Sequence, residues 1–231
     1  MVEHSSPKRT VVGSSPTTPA KMTGHEALVQ SLVDDGVLRT PRVIAAFRAI
    51  DRADFVPSEF RAEAYCDYPL SIPGNQTISQ PRTVAFLLEL LDPQPGNRVL
   101  DVGVGSGWTT ALLSYIVERG NGHVVGLERI PELCEFGKLN VAKYNFISRN
   151  IAEIRCADAT QGAFGDQLFD RILSGAAAEH RIPDVWRDAV LLNGRIVAPV
   201  ADAVCMLEKR SSRAWSEHTF PGFAFVPLIE R

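Results

Sequence analysis

Asn97-Arg98-Val99-Leu100-Asp101-Val102-Gly103-Val104-Gly105-Ser106-Gly107-Trp108 decides the fold of this chain. An apolar run suited to a buried strand ends in a carboxylate. A turn with glycine at every second position follows, and then a helix-compatible segment, Thr109-Thr110-Ala111-Leu112-Leu113-Ser114-Tyr115. An α/β domain brings a nucleotide-like ligand against its first strand–helix turn in this way, because glycine lets the backbone turn tightly and approach the ligand closely. A dinucleotide fold wants G-x-G-x-x-G, which would need glycine at Trp108. The chain reads D-x-G-x-G-x-G instead.

Around this unit, the 231 residues are enough for one α/β domain with a sizeable core. A net charge of -3 and a pI of about 6.0 give no basic field for nucleic acid or an anionic membrane. No apolar run approaches the roughly 18 residues of a membrane span. Cys66, Cys134, Cys156 and Cys205 are scattered without a C-x-x-C, which reads as reduced thiols of a cytoplasmic protein without a metal site.

Residues 1–22 are rich in Ser, Thr and Pro and read as a disordered tail without a secretory h-region. Folded-looking sequence begins just after Met22, which could serve as a start. Thr23-Gly24-His25-Glu26 has the form of a helix capping box, opening an amphipathic segment over 27–33. Thr40-Pro41 starts a second helix with Val43, Ile44, Phe47 and Ile50 on one stripe. Residues 51–80 are irregular, a long loop of the kind that carries function. A third helix begins at Pro81, and 93–96 turn into the glycine unit.

Beyond the turn, the pattern predicts strands over 123–128, 151–156, 169–174 and 195–200. Helices are predicted over 131–144 and 182–191, and antiparallel strands over 203–207 and 220–229. Repeated β-α-β alternation means a parallel sheet covered on both faces, with the ligand at the carboxyl ends of the strands. The organisation is one domain over 23–231, divided into an N-terminal helical and loop subregion (23–92) and a cofactor-binding core (93–231).

The D-x-G-x-G-x-G turn resembles that of S-adenosyl-L-methionine-dependent methyltransferases. On that reading Gly103, Gly105, Gly107 and Trp108 form the cofactor turn, and Asp101 orients the methionine part of the cofactor. Glu128, at a strand end about twenty residues further on, can accept both ribose hydroxyls. Asp158 reaches for the adenine amino group, with turn capping as its structural alternative.

A second signature lies upstream. Gln76-Thr77-Ile78-Ser79-Gln80-Pro81 resembles the Q-T-I-S-x-P run of protein-L-isoaspartate O-methyltransferases. Ala64-Tyr65-Cys66-Asp67, Ser174-Gly175-Ala176-Ala177-Ala178, Ile182-Pro183, Gly194-Arg195-Ile196-Val197-Ala198-Pro199-Val200 and Phe225-Val226-Pro227-Leu228 follow in that family's order, over roughly residues 25–231. The chain departs from the pattern at Pro73-Gly74-Asn75, at Trp108 in place of tyrosine, at Glu179 and at Asn193. The resemblance implies a doubly wound, mostly parallel seven-stranded sheet, a Rossmann-like fold with an N-terminal helical extension and C-terminal antiparallel strands.

It also implies the chemistry. An isoaspartyl α-carboxylate takes the methyl of S-adenosyl-L-methionine in one in-line displacement, and S-adenosyl-L-homocysteine leaves. The resulting ester cyclises to a succinimide without enzymic help and partly reopens as normal aspartate, which makes the reaction a protein repair. A carboxylate is already ionised at neutral pH, so no general base is required. Alignment and exclusion of water remain for the protein. Ser79 receives the carboxylate, with helix N-capping as its structural alternative. Thr77, Ile78, Ala176, Ala177 and Val226 line the peptide groove. The expected partners are isoaspartyl peptides and proteins, without nucleic acid or membrane, and the expected state is a monomer. Two other readings stay open: the same fold acting on a different acceptor, and a catalytically weak cofactor-binding interaction protein. A dedicated-peptide enzyme would carry an added recognition segment, and only three residues follow Leu228.

Overall fold

The computed structural model describes residues 24–229. The tail expected over 1–22 and the Thr23 end of the capping box lie outside the described residues. The chain opens with α1 (Gly24–Asp34) and α2 (Pro41–Ala49), followed by 3-10 turns at Arg52–Phe55 and Ser58–Glu63. A small hairpin of β1 (Leu70–Ile72) and β2 (Gln76–Ile78) leads into α3 (Pro81–Leu91). Next come β3 (Arg98–Val102), α4 (Trp108–Val117), β4 (His123–Glu128), α5 (Pro131–Ala142) and β5 (Ala152–Cys156). β6 (Phe169–Ser174), α6 (Asp184–Ala189), β7 (Val190–Val200), β8 (Ala203–Lys209) and β9 (Trp215–Pro221) complete the order.

Seven strands form one sheet in the order β5-β4-β3-β6-β7-β8-β9. The first five run parallel, and β8 and β9 are antiparallel additions. Central strands β3 and β4 are buried along nearly their whole length, as expected of a parallel sheet with both faces covered. One face packs Val99, Val124 and Val197 against the helices, in a core that also takes in Leu32, Phe47, Leu88 and Leu112. The N-terminal helices therefore share a core with the sheet. The other face packs Leu100, Ile172 and Ile196 with Phe169 and the fully buried Trp186. The indole of Trp186 donates to the Ala159 carbonyl at 3.0 Å, tying α6 to the loop after β5.

The doubly wound sheet and the predicted alternation hold, and four details differ. The loop over 51–80 contains the β1–β2 hairpin, whose Pro73-Gly74-Asn75 tip has positive φ at both Gly74 (68°) and Asn75 (56°), the pattern of a type I′ turn. α6 is shorter than 182–191: Pro183 sits at its N-cap, and Val190 already belongs to β7. β7 begins at Val190 rather than 195 and carries its irregularity between Phe169↔Val190 and Arg171↔Arg195, with Asn193 left-handed (φ 61°). The last strand is Trp215–Pro221, not 220–229. Gly222 (φ 93°) ends it, and the chain beyond runs as an extended lip.

Gly107 closes the turn where α4 meets α5. Its φ is 88°, and a Cβ there would stand 2.8 Å from both the Gly137 carbonyl oxygen and Val141 Cγ2. Gly36 is also left-handed (φ 69°) and has nothing within 4 Å. Gly107→Ala should therefore cost about 3 kcal/mol in urea unfolding, from backbone strain and overpacking together, while Gly36→Ala costs about 1 kcal/mol from strain alone. Equal losses at the two positions would contradict the packing role of Gly107.

Candidate active site

β3 delivers Asp101 and Val102 to the sheet's carboxyl edge, and the chain turns there through Gly103 and Gly105 (φ 78° and 54°) into α4. Beside this turn lies a cleft of about 1040 Å³, open solvent included. Its floor is Val102–Ser106 and its rim Glu128–Ile130. The hairpin strand Gln76–Ile78 with Ser79 closes one side, and 226–229 the other.

Glu128, only 5% exposed at the end of β4, holds the turn. Its Oε2 accepts the Gly105 N–H at 3.0 Å and its Oε1 accepts the Ile130 N–H at 2.9 Å. A carboxylate has about four acceptor sites, so both oxygens keep capacity for ligand hydroxyls. Asp158 stands on the same rim, and its capping alternative is realised: Oδ1 accepts the Thr160 N–H at 2.9 Å and the Thr160 hydroxyl at 2.7 Å. Among the described residues, Oδ2 has no hydrogen bond.

Ser79 lies on the wall and does not cap α3. The N-cap is Gln80, and no side chain caps that helix. A second cleft of about 750 Å³ runs on from the first past Pro69, Thr83 and Phe225. Thr77, Ser79, Gly175 and Val226 line both, so they stand at the junction. Ile78 and Ala176 line the first cleft. Ala177 lies off both walls. Its N–H donates to the Val226 carbonyl at 2.8 Å and its carbonyl accepts the Leu228 N–H at 2.7 Å, so it moors the lip that carries Val226. Gly107 is likewise a packing residue off the wall. Glu179 is off the wall too, with its side chain 83% exposed.

Asp101 sits beneath the turn rather than on its surface. It is 1% exposed and its Oδ2 accepts the Thr110 hydroxyl at 2.6 Å. Burial pushes its carboxyl up to about 7, opposed by the Thr110 hydrogen bond and reinforced by the negative charge of Glu128.

Sequence reasoning missed Arg129, Ile130, Leu133 and Gly175 on the walls, and Arg52 behind them. Arg129 and Ile130 follow Glu128 directly, and that adjacency was the available signal. Nothing in the irregular 51–80 stretch marked Arg52.

The wall suits the cofactor that the resemblance implies. Two buried donors of wall residues, Trp108 Nε1 and Arg129 Nη1, have no partner among the described residues. A Cβ at Gly105 would meet Ile72 Cδ1 at 3.4 Å and the Gly103 carbonyl oxygen at 4.0 Å, ordinary contact distances, so it would take up space that the cleft keeps open. Trp108 opens α4, whose N-terminus favours a carboxylate.

The Asp101 environment predicts a pH dependence. Its folded value of about 7 lies above its ordinary value near 4, so the folded chain keeps a proton that the unfolded chain releases. Stability from this group is complete below about pH 4 and is lost as pH rises through about 7. Asp101→Asn cannot titrate, so its urea midpoint should gain on that of the unsubstituted protein between pH 5 and pH 8. A constant difference across that range would contradict the assignment.

Comparisons with known proteins agree with this geometry. Residues 22–231 match the family model described as protein-L-isoaspartate(D-aspartate) O-methyltransferase. A protein-L-isoaspartate O-methyltransferase of Methanopyrus kandleri is 38% identical over 209 residues, covering 89% of this chain and 91% of the relative. One of Aeropyrum pernix is 38% identical over 206 residues, covering 87% and 78%. Among solved structures, a Plasmodium falciparum chain assigned as a protein-L-isoaspartate O-methyltransferase, in complex with S-adenosyl-L-homocysteine, superposes with a TM-score of 0.81. It is 25% identical, and the match covers 91% of this chain and 100% of that one. The chain belongs to the protein-L-isoaspartate(D-aspartate) O-methyltransferase family.

Proposed function

We propose that this chain methylates the α-carboxylate of L-isoaspartyl residues in damaged peptides and proteins, with S-adenosyl-L-methionine as donor. The observation that carries the reading is the meeting of two clefts at Thr77, Ser79, Gly175 and Val226. One cleft is bounded by the glycine turn and Glu128, and the other opens outward past Pro69 and Phe225. A donor and an acceptor approaching from opposite sides meet at Ser79.

When bound, S-adenosyl-L-methionine supplies a methyl group on a positively charged sulfur. Everything else falls to the chain. Glu128 binds the ribose hydroxyls and Asp158 Oδ2 the adenine edge. Gly103 and Gly105 let the turn approach, and Asp101, buried beneath it, holds the Thr110 hydroxyl of α4 and so supports the turn that faces the methionine part of the cofactor. Ser79 donates its hydroxyl to the incoming carboxylate and fixes its direction. Ala176 leaves room for the kinked isoaspartyl backbone, while Ile78 and Val226 exclude water. A drier junction favours a step in which opposite charges are neutralised.

The net charge of -3 supports a peptide acceptor over nucleic acid. We read the chain as a cytoplasmic monomer, with its four cysteines free. Among the described residues no helix is long and apolar enough to cross a membrane.

The reading is tested by methyl transfer to a matched peptide pair, one with isoaspartate and one with aspartate. Base-labile label should appear on the isoaspartyl peptide alone. Label on neither, with cofactor binding intact by calorimetry, would favour another acceptor or an interaction protein. Ser79→Ala should lower kcat/KM about 10- to 100-fold, the worth of a hydrogen bond to a charged group, and leave cofactor affinity within about twofold. Unchanged turnover in Ser79→Ala would remove the serine from the mechanism.

A further inference from the structure

Arg52 has no exposed surface and, among the described residues, no carboxylate bound to its guanidinium, although it stands in the loop subregion beside the site. Backbone carbonyls take that place. Nη1 donates to the carbonyls of Ala64 (2.9 Å) and Cys66 (3.2 Å), and Nη2 to those of Tyr68 (3.0 Å) and Ser79 (3.1 Å). The same guanidinium lies 5.5 Å from the centre of the Trp108 ring, the first residue of the helix that follows the glycine turn. Burial pulls its pKa down to about 10, with Asp67 the first of the groups holding it up, so it stays charged at neutrality.

Such a buried charge is costly, and a purely structural bracket could be built from neutral groups. What distinguishes this one is where it ends. Three of its four carbonyls belong to the 64–68 stretch, and the fourth belongs to the residue at the junction of the two clefts. The Ser79 hydroxyl has no hydrogen-bond partner among the described residues, and Gln80 rather than Ser79 caps α3. The carbonyl held by Arg52 is therefore the side from which Ser79 is fixed. Through the Trp108 face, the same cation references Ser79 to the cofactor turn.

We propose that Arg52 is a positioning residue for methyl transfer, acting through Ser79: its guanidinium holds the Ser79 carbonyl and the Trp108 ring together and so sets the acceptor's distance from the cofactor turn. The role rests on the methyltransferase reading above. Arginine is required because its planar fork serves four carbonyls at once, whereas lysine has three donors on a point charge.

The test compares Arg52→Lys and Arg52→Gln with the unsubstituted chain, each also in the Ser79→Ala background. For Arg52→Lys, kcat/KM on the isoaspartyl peptide should fall about 30-fold, with cofactor Kd by calorimetry changed less than about threefold. In the Ser79→Ala background the same substitution should cost less than about threefold, because the group it positions is gone. Amide hydrogen exchange should rise about tenfold over 76–80 and stay unchanged in β3 and β4.

An equal loss in both backgrounds would overturn the proposal, as would unchanged exchange over 76–80. If both variants fail to fold, Arg52 is a stability element and the proposal also falls. Failure of the functional reading looks different. The unsubstituted chain would then transfer no methyl to the isoaspartyl peptide, and exchange over 76–80 in Arg52→Lys would still decide whether Arg52 holds Ser79.

Discussion

Two backbone N–H groups converge on one buried carboxylate, and the geometry of the site follows from that. Glu128 ties Gly105, in the turn after β3, to Ile130, at the start of α5. Without it the turn would present unpaired donors at the sheet's edge, a cost of about 1–3 kcal/mol for each buried one. With it, neighbouring strands β3 and β4 share a fixed corner, and the floor of the cleft is rigid before any ligand arrives. A cleft organised by its own buried carboxylate needs little further ordering when a ligand binds.

The rest of the site is built as two lips on that floor. One is the β1–β2 hairpin, whose Gly74 tip lies 3.5–3.6 Å (as a built Cβ) from Ile130 and Leu133. The other is the extended segment after Gly222, hydrogen-bonded through Ala177 to the loop after β6. An aromatic group anchors the second lip: Phe86 of α3 stacks on Phe223 with centroids 5.1 Å apart and meets Phe220 edge-on at 5.4 Å. Since α3 begins two residues after Ser79, both lips are referenced to one helix. The junction between the clefts is therefore held from the floor and from the side.

Some of this was legible in the sequence and some could not be. The strand–turn–helix unit was readable because glycine spacing and apolar runs are local signals, and the parallel sheet followed from the alternation of elements. The last strand ends short of the expected 229 because Phe223, Phe225 and Val226, which carry apolar character past Gly222, lie outside it. Their partners are aromatic rings and a single parallel bridge, not a strand ladder. Asp158 could be read as ligand or cap, and its Oδ1 is committed to the cap while Oδ2 stays open. Ala177 and Gly107 were selected by their neighbours in the motifs, although their own work is done behind the wall. Arg52 was invisible for a different reason: its partners are carbonyls, and backbone leaves no mark in residue identity.

The departures from the family pattern become intelligible at this level. Pro73-Gly74-Asn75 changes the residues of the hairpin tip and keeps its turn, because glycine and asparagine tolerate the two left-handed positions it needs. Trp108 replaces a smaller aromatic and fills a layer between Phe47, edge-on at 5.5 Å, and the Arg52 guanidinium. Pro73-Gly74-Asn75 lies off the walls of both clefts, whereas Trp108 lines the first cleft and meets the guanidinium that holds the Ser79 carbonyl. On the proposed mechanism, alignment of donor and acceptor falls to backbone, Ser79 and Glu128, which suits a nucleophile that is already ionised at neutral pH.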